Sequence, residues 1–310
     1  MEVNNKKYIM LFLIFFISSK NLCSLEPGEK YCKVNSKFLN NRKEFYMVVK
    51  EDAVGKAICK NGQWDDIDFN YIEKNTNERV MVDIGANYGW YSFMFALRNW
   101  TVYAFDVFPT NIDIIKKTIC INNLDNNYIN IMNYGLGNSK TTCTSFYEKN
   151  NGNTVLCCDS SCKKLHDQNF FVTRKHIFEK KTVQINTLDN FFYRKKVGYL
   201  KIDVEGFECP ITMGGINWIQ LTKPYFVQAE INTWHKNSLN CSPQKFVNLW
   251  KKMGYGVGVH DFPPRSKFLC NKMLLNHFTR QHILNVFMRA DYNISIWFKK
   301  GFKNCGYKDY

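Results

Sequence analysis

No apolar run of this sequence is long enough for a comfortable membrane span. The longest apolar run, Tyr8 to Ile17, has ten residues where a span needs about 20, so no stable membrane span is expected. There is no internal repeat and no low-complexity tract, and with 45% hydrophobic residues the chain is globular rather than disordered. The dinucleotide fingerprint G-x-G-x-x-G is absent, which argues against hydride transfer. The paired C-x-x-C spacing of most structural zinc sites is absent as well. Acidic residues are scarce, 27 against 42 lysines and arginines, for a formal net charge of +15. A surface so basic attracts polyanions, although an Asn- and Lys-rich composition of the genome would give the same excess.

What is present at the N-terminus reads as a leader. Lys6 and Lys7 precede the short apolar run, and Ser18, Ser19 and Ser24 follow it. That order is the one of a secretory signal peptide over residues 1–24, with a signal anchor as the alternative. Its removal would leave a net charge of +13. Twelve cysteines then read as a disulfide framework. Cleavage after Ser24 would remove Cys23 and leave an odd number; cleavage before Cys23 would keep the count even. Sequons stand at Asn99, Asn240 and Asn293. The expected location is the secretory lumen or the outside of the cell. There a basic protein meets acidic glycans, phosphorylated sugars or anionic lipid headgroups, and a nucleic-acid partner is not expected.

At 310 residues the chain can bury one large core. Residues 25–78 are a polar extension expected to pack on that core, with a small strand or turn element between Val54 and Trp64 covering the sheet edge. From residue 79 onward strands and helices alternate, the signature of a parallel sheet. Strands are predicted at 80–84, 101–105, 129–134, 198–203 and 225–230, and helices at 89–98, 110–123, 209–220 and 243–253. Two more strands, 255–260 and 293–299, would form a closing antiparallel pair. Residues 139–185 are a Cys-rich insertion that a minimal fold does not need. Cys143, Cys157, Cys158 and Cys162, with His166 after them, read there as loop disulfides before zinc, and the loop is placed to shape a substrate pocket.

The most informative segment is Val80-Met81-Val82-Asp83-Ile84-Gly85-Ala86-Asn87-Tyr88-Gly89. It reads as a buried strand, a glycine turn and a helix start, the place where open α/β sheets bind nucleotide-like ligands. Its spacing, Asp-x-Gly-x-x-x-Gly, is the one used for S-adenosylmethionine (SAM). The next strand delivers Asp106, an acid about 20 residues on, placed to hold ribose hydroxyls. Downstream come Asn186-Thr187-Leu188-Asp189, then Leu200-Lys201-Ile202-Asp203-Val204-Glu205-Gly206-Phe207-Glu208, then Lys223-Pro224-Tyr225-Phe226-Val227-Gln228-Ala229-Glu230-Ile231.

Together these blocks resemble the FkbM family of SAM-dependent methyltransferases. The family's DxGAN-x-G turn, acid-then-proline element, T-L-D element and K-I-D-V-E-G block all occur, in order, over residues 80–300. Asp106 stands where many relatives carry Glu. The resemblance implies a Rossmann-like class I α/β fold, with a mostly parallel seven-stranded sheet and helices on both faces. It also implies O-methylation of a hydroxyl, typically of a sugar, with SAM as cofactor.

Methyl transfer from a sulfonium is an in-line displacement, in which a weakly nucleophilic hydroxyl must be aligned and relieved of a proton. Asp203, at the end of the fourth core strand, is the first candidate for general base or metal ligand. Glu205 is the second and Glu208 a distant third. Alternation along a strand would bring Lys201, Asp203 and Glu205 to one side. Lys201 would then hold a carboxylate ionised or orient the acceptor, unless it forms only a structural ion pair with Asp203. His235 is an alternative base. Asp203 with Glu230 could hold a divalent metal such as Mg²⁺. Asp83, Gly85, Asn87 and Gly89 are expected to contact the cofactor, Asp106 its ribose, and Tyr134 with Gly135 its adenine edge. Trp90 and Tyr91 read as pocket aromatics or as core. The expected acceptor is a hydroxyl of a glycan, a glycolipid or a small molecule, with anionic character an option. The competing expectation is a catalytically silent methyltransferase-fold module that binds an anionic glycan or a protein partner.

Overall fold

The computed structural model describes residues 23–65, 67–125, 127–148, 154–158, 178–231, 243–259 and 294–300. The leader up to residue 22, His166, His235 and the sequons at Asn240 and Asn293 lie outside the described residues.

The first described strands form a hairpin, β1 (Glu29–Lys33) and β2 (Tyr46–Lys50), paired antiparallel from Glu29↔Lys50 to Lys33↔Tyr46. Two helices follow, Ala53–Asn61 and Phe69–Asn75. Each is started by an aspartate. Asp52 accepts from the Gly55 amide at 2.8 Å and Asp68 from the Tyr71 amide at 3.0 Å, which satisfies amides that have no partner within the helix. The Val54–Trp64 segment is therefore mostly helical, not a strand or turn. The cap at Asp52 and the buried Gly55 and Ile58 set that outcome.

The core then runs β3 (Val80–Ile84), helix Trp90–Ala96, β4 (Thr101–Phe105), helix Pro109–Ile121 and β5 (Ile129–Met132). Next come β6 (Gly135–Gly137), β7 (Thr141–Glu148), β8 (Thr154–Cys157) and β9 (Phe178–Thr187), then β10 (Tyr199–Ile202). Helices Glu208–Met213 and Ile216–Thr222 lead to β11 (Phe226–Ile231), and helix Pro243–Lys252 leads to β12 (Tyr255–Val259); β13 (Ile294–Lys300) is last.

The central five strands, in the order β11-β10-β3-β4-β5, are parallel, and β13 and then β12 extend the β11 edge in antiparallel pairing. The two faces are read directly from residue parity. Met81, Val102, Ala104, Tyr199 and Phe226 point into one apolar cluster, while Val82, Ile84, Tyr103, Phe105, Leu200, Ile202, Val227 and Ala229 point into the other. Helices cover both, which explains why these strands are apolar on both sides.

The expected single helix over 209–220 is two short ones. A Cβ on Gly214 would lie 2.0 Å from the Gly137 carbonyl oxygen, so the chain breaks there to let β6 pass. The insertion also differs from the expected loop. With β6 it builds a second sheet in the order β6-β9-β7-β8, and a Cys143–Cys158 disulfide joins β7 to the residue after β8. Its alternation of Thr, Ser, Cys and aromatic residues is ordinary strand chemistry.

The extension shares the first apolar cluster with the sheet. Phe38 packs edge-on against Trp90, Phe69 against Phe95, and Phe45 beside Phe93, with ring centroids 5.0–5.5 Å apart. The hairpin docks on helix Pro109–Ile121 through a buried Lys117–Glu29 ion pair at 2.7 Å and through the Thr118 hydroxyl, which accepts from the Val48 amide at 3.0 Å. Disulfides Cys23–Cys120 and Cys32–Cys59 tie the same region. Thr118→Val keeps the volume but strands the buried Val48 amide. It should lower unfolding free energy by about 1–2 kcal/mol, read as a fall in the urea midpoint with an unchanged slope.

Candidate functional site

A cleft of about 210 Å³ opens where β3, β4 and β10 end. Its floor is the β3-to-helix turn. The Gly85 and Ala86 amides both donate to the Phe105 carbonyl at 2.9 Å, which binds the turn to β4. Gly85 has φ +82°, and a Cβ there would lie 1.8 Å from the Asp203 carbonyl oxygen. Only glycine lets the exits of β3 and β10 touch this closely while leaving the backbone open to a ligand.

Asp106 stands on the β4 side of the cleft. Its Oδ1 accepts from the Phe108 amide at 2.8 Å, and its Oδ2 accepts from the Asn87 amide at 2.9 Å and from Asn111 Nδ2 at 3.2 Å. A carboxylate has about four acceptor positions, so a lone pair on Oδ1 remains for a ligand hydroxyl. Burial raises its pKa to about 6, against the pull of these three donors. Tyr134 and Gly135 line the same side, and the Tyr134 ring meets Phe105 edge-on at 5.4 Å.

The β10 side carries a polar row that pairing register creates. Lys201 lies opposite Asp83 on β3 and opposite Gln228 on β11. Asp83 is fully buried; its Oδ2 accepts from Ser92 Oγ at 2.6 Å while Oδ1 has no hydrogen-bond partner among the described residues. Burial raises its pKa and the Lys201 charge opposes that shift. Lys201 Nζ is 2.8 Å from Asp203 Oδ2 and 5.0 Å from the centre of the Tyr91 ring. Gln228 accepts from the Tyr199 hydroxyl at 3.0 Å and donates to the Tyr91 hydroxyl at 2.9 Å, which in turn donates to Asp65 Oδ2 at 2.7 Å. The alternation expected through Glu205 stops short. β10 ends at Ile202, and Glu205 sits in the following turn at φ +54°, still on the cleft wall.

Gly85, Asn87, Asp106, Tyr134, Lys201, Asp203 and Glu205 thus line one cleft. Asp83 and Gly89, expected to touch the cofactor, stand behind that wall. Asp83 faces the helix through Ser92, and Gly89 begins that helix against Phe93 and Ile115. Glu208 is not on the wall either. Its Oε1 accepts from the Val204 and Gly206 amides at 3.0 and 3.2 Å and so holds the turn that presents Asp203 and Glu205. Burial pushes its pKa to about 8. Glu230 lies on β11 opposite Ser295, with its side chain outside the described residues. Among the described residues no group of three or more His, Cys, Asp and Glu side chains is placed to hold a metal ion.

Several wall residues were not legible in the sequence. Val54 and Trp64 reach the cleft from the N-terminal extension and Asn111 from the helix after β4, while Leu156 comes from the insertion that was expected to shape a pocket. The Tyr88 hydroxyl donates to Asp52 and the Tyr91 hydroxyl to Asp65, so the extension grips the β3 turn at two points. The helix-starting pattern at Asp52 was a signal for the helix, but nothing local announced its second bond.

A sequence model described as the methyltransferase FkbM domain matches residues 83–258. Among solved structures, a methyltransferase FkbM from Methylobacillus flagellatus KT is 14% identical, over 71% of this chain and 43% of that one, with a TM-score of 0.40. A Pyrococcus abyssi tRNA (uracil-54, C5)-methyltransferase in complex with S-adenosyl-L-homocysteine is 10% identical, over 87% and 44%, with a TM-score of 0.37. A precorrin-6y C5,15-methyltransferase from Geobacter metallireducens GS-15 is 12% identical, over 74% and 86%, with a TM-score of 0.34. The chain spans less than half the length of the first two. No curated protein matches the sequence.

Proposed function

The chain belongs to the FkbM methyltransferase family, and from that premise we propose that it is a SAM-dependent O-methyltransferase acting on a hydroxyl of a glycan, glycolipid or related small acceptor. The observation that carries the reading is the cleft itself, with Asp106 on one side, Asp203 on the other and a glycine floor between them. The residues present fit the cofactor. Gly85 keeps the floor of the cleft free of any side chain, and Asp106 keeps an acceptor position for a ribose hydroxyl.

When bound, the cofactor supplies an electrophilic methyl group on a sulfonium. Asp203 is the group that would take the proton of the acceptor hydroxyl. Lys201 positions the Asp203 carboxylate through their 2.8 Å contact. Glu205, on the same wall, orients the acceptor. Lys201 is buried while Asp203 is partly exposed, so the ion pair presents its carboxylate to the cleft.

A secretory setting is part of the proposal. Three disulfides among the described residues suit an oxidising compartment. With Cys23 bonded to Cys120, a leader would be cut before Cys23. Asn99 is exposed in the turn ahead of β4, open to glycosylation. No helix among the described residues is long and apolar enough to cross a membrane.

The test is a thermal-shift titration of the oxidised protein with S-adenosylhomocysteine, beside Asp106→Ala. At 100 times its dissociation constant the ligand should stabilise the fold by about 2.7 kcal/mol, and the ligand-induced shift should vanish in the variant. A folded wild type with no shift would sink the enzyme reading and favour the silent binding module.

A further inference from the structure

The family domain begins at Asp83, yet two residues of the cleft wall, Val54 and Trp64, come from the chain before it. Each sits beside an anchor. Asp52, whose Oδ1 starts the helix that carries Val54, holds the buried Tyr88 hydroxyl with its other oxygen. Asp65, next to Trp64, holds the Tyr91 hydroxyl at 2.7 Å, and that hydroxyl also receives the Gln228 amide. Tyr88 belongs to the strand-to-helix turn that forms the cleft floor, and Tyr91 to the first turn of the helix that follows it. The extension is therefore pinned to the site rather than merely packed near it, and the Cys32–Cys59 disulfide braces it from behind.

Trp64 is the unusual member of this wall. It lines the cleft while 43% of its surface is exposed, whereas Trp90 and Tyr91 beside it are buried. An indole left half in water adds a flat apolar face to a cleft whose wall also carries Lys201, Asp203 and Glu205.

We infer that the N-terminal extension holds the acceptor, with Trp64 as the platform on which one face of a sugar ring stacks. The ring's hydroxyls then meet Asp203 and Glu205, which line the same cleft. The inference rests on the methyltransferase reading for which hydroxyl faces the methyl group, but not for the stacking itself. A pyranose suits this wall because its axial C–H groups form an apolar face while its rim is all donors and acceptors. A purely apolar acceptor would leave Lys201, Asp203 and Glu205 without use, and a fully polar one would waste the indole.

The experiment is saturation-transfer NMR on the oxidised full-length protein with a panel of methyl pyranosides, with and without S-adenosylhomocysteine, for wild type, Trp64→Ala and Trp64→Phe. Saturation should reach the C–H protons of one ring face. Trp64→Ala should weaken the best glycoside at least tenfold with its S-adenosylhomocysteine thermal shift intact, and Trp64→Phe should recover most of the affinity. Equal binding to Trp64→Ala, or no glycoside bound by a wild type that does bind S-adenosylhomocysteine, overturns the inference. Trp64-dependent glycoside binding without any S-adenosylhomocysteine shift would uphold the platform and discard the methyltransferase reading instead.

Discussion

Gly85→Ala is expected to lower the unfolding free energy by at least about 3 kcal/mol and to abolish S-adenosylhomocysteine binding. Two costs combine. Gly85 is at φ +82°, where a side chain costs about 1–2 kcal/mol. The added Cβ would also lie 1.8 Å from the Asp203 carbonyl oxygen, a distance that only movement of backbone can relieve. The movement must separate the ends of β3 and β10, the two strands that frame the cleft. Gly254→Ala is the matched control. It has φ +87° and open space around the new Cβ, so it should show the conformational cost alone. Urea unfolding of both variants separates the terms. Equal midpoints would show that the β3–β10 contact tolerates a methyl group and that the floor of the site is more pliant than its geometry implies.

The second large effect is a dependence on pH. Burial raises Glu208 to about 8 from an ordinary 4.5, and Asp106 to about 6 from 3.8. A carboxyl with a raised folded pKa binds its proton more tightly in the native state. Its stabilising contribution is complete below the unfolded pKa and is lost as pH climbs toward the folded one. The ligand-free protein should therefore lose stability from about pH 4.5 to 8 through Glu208, with Asp106 contributing between about pH 4 and 6. Glu208→Gln keeps an oxygen to accept from the Val204 and Gly206 amides while removing the ionisation. At about 1.4 kcal/mol per unit of pKa difference, the wild type should fall behind this variant by roughly 3–5 kcal/mol between pH 5 and 8. Urea midpoints across that range read the difference directly. Parallel curves would mean that Glu208 ionises in place and that water reaches the turn.

Both effects concern one turn, Asp203 to Glu208, and it shows where reading the sequence stops. The K-I-D-V-E-G block marked the strand end and its acids. It did not show that β10 closes at Ile202, because strand length is set by pairing with β3 and β11, not by the block's own residues. Glu205 therefore left the expected alternation, and Glu208, a remote candidate for base, became the acceptor that shapes the turn. Asp83 moved in the same way. Parity along β3 puts it on the face covered by helix Trp90–Ala96, so it serves Ser92 rather than the cleft.

The sequence by itself determined the parallel core, the positions of β3 and β4 to the residue, the glycine turn and the acids that follow two strands. Those features are local: apolar runs of strand length, glycine where the backbone must turn, and an acid at each exit. Only the tertiary structure decided which acids share a wall, that Lys201 stands in register between Asp83 and Gln228, and that the extension's Asp52 and Asp65 hold Tyr88 and Tyr91. These depend on pairing and packing between residues 26 to 137 positions apart, and no local pattern in a single chain carries that information.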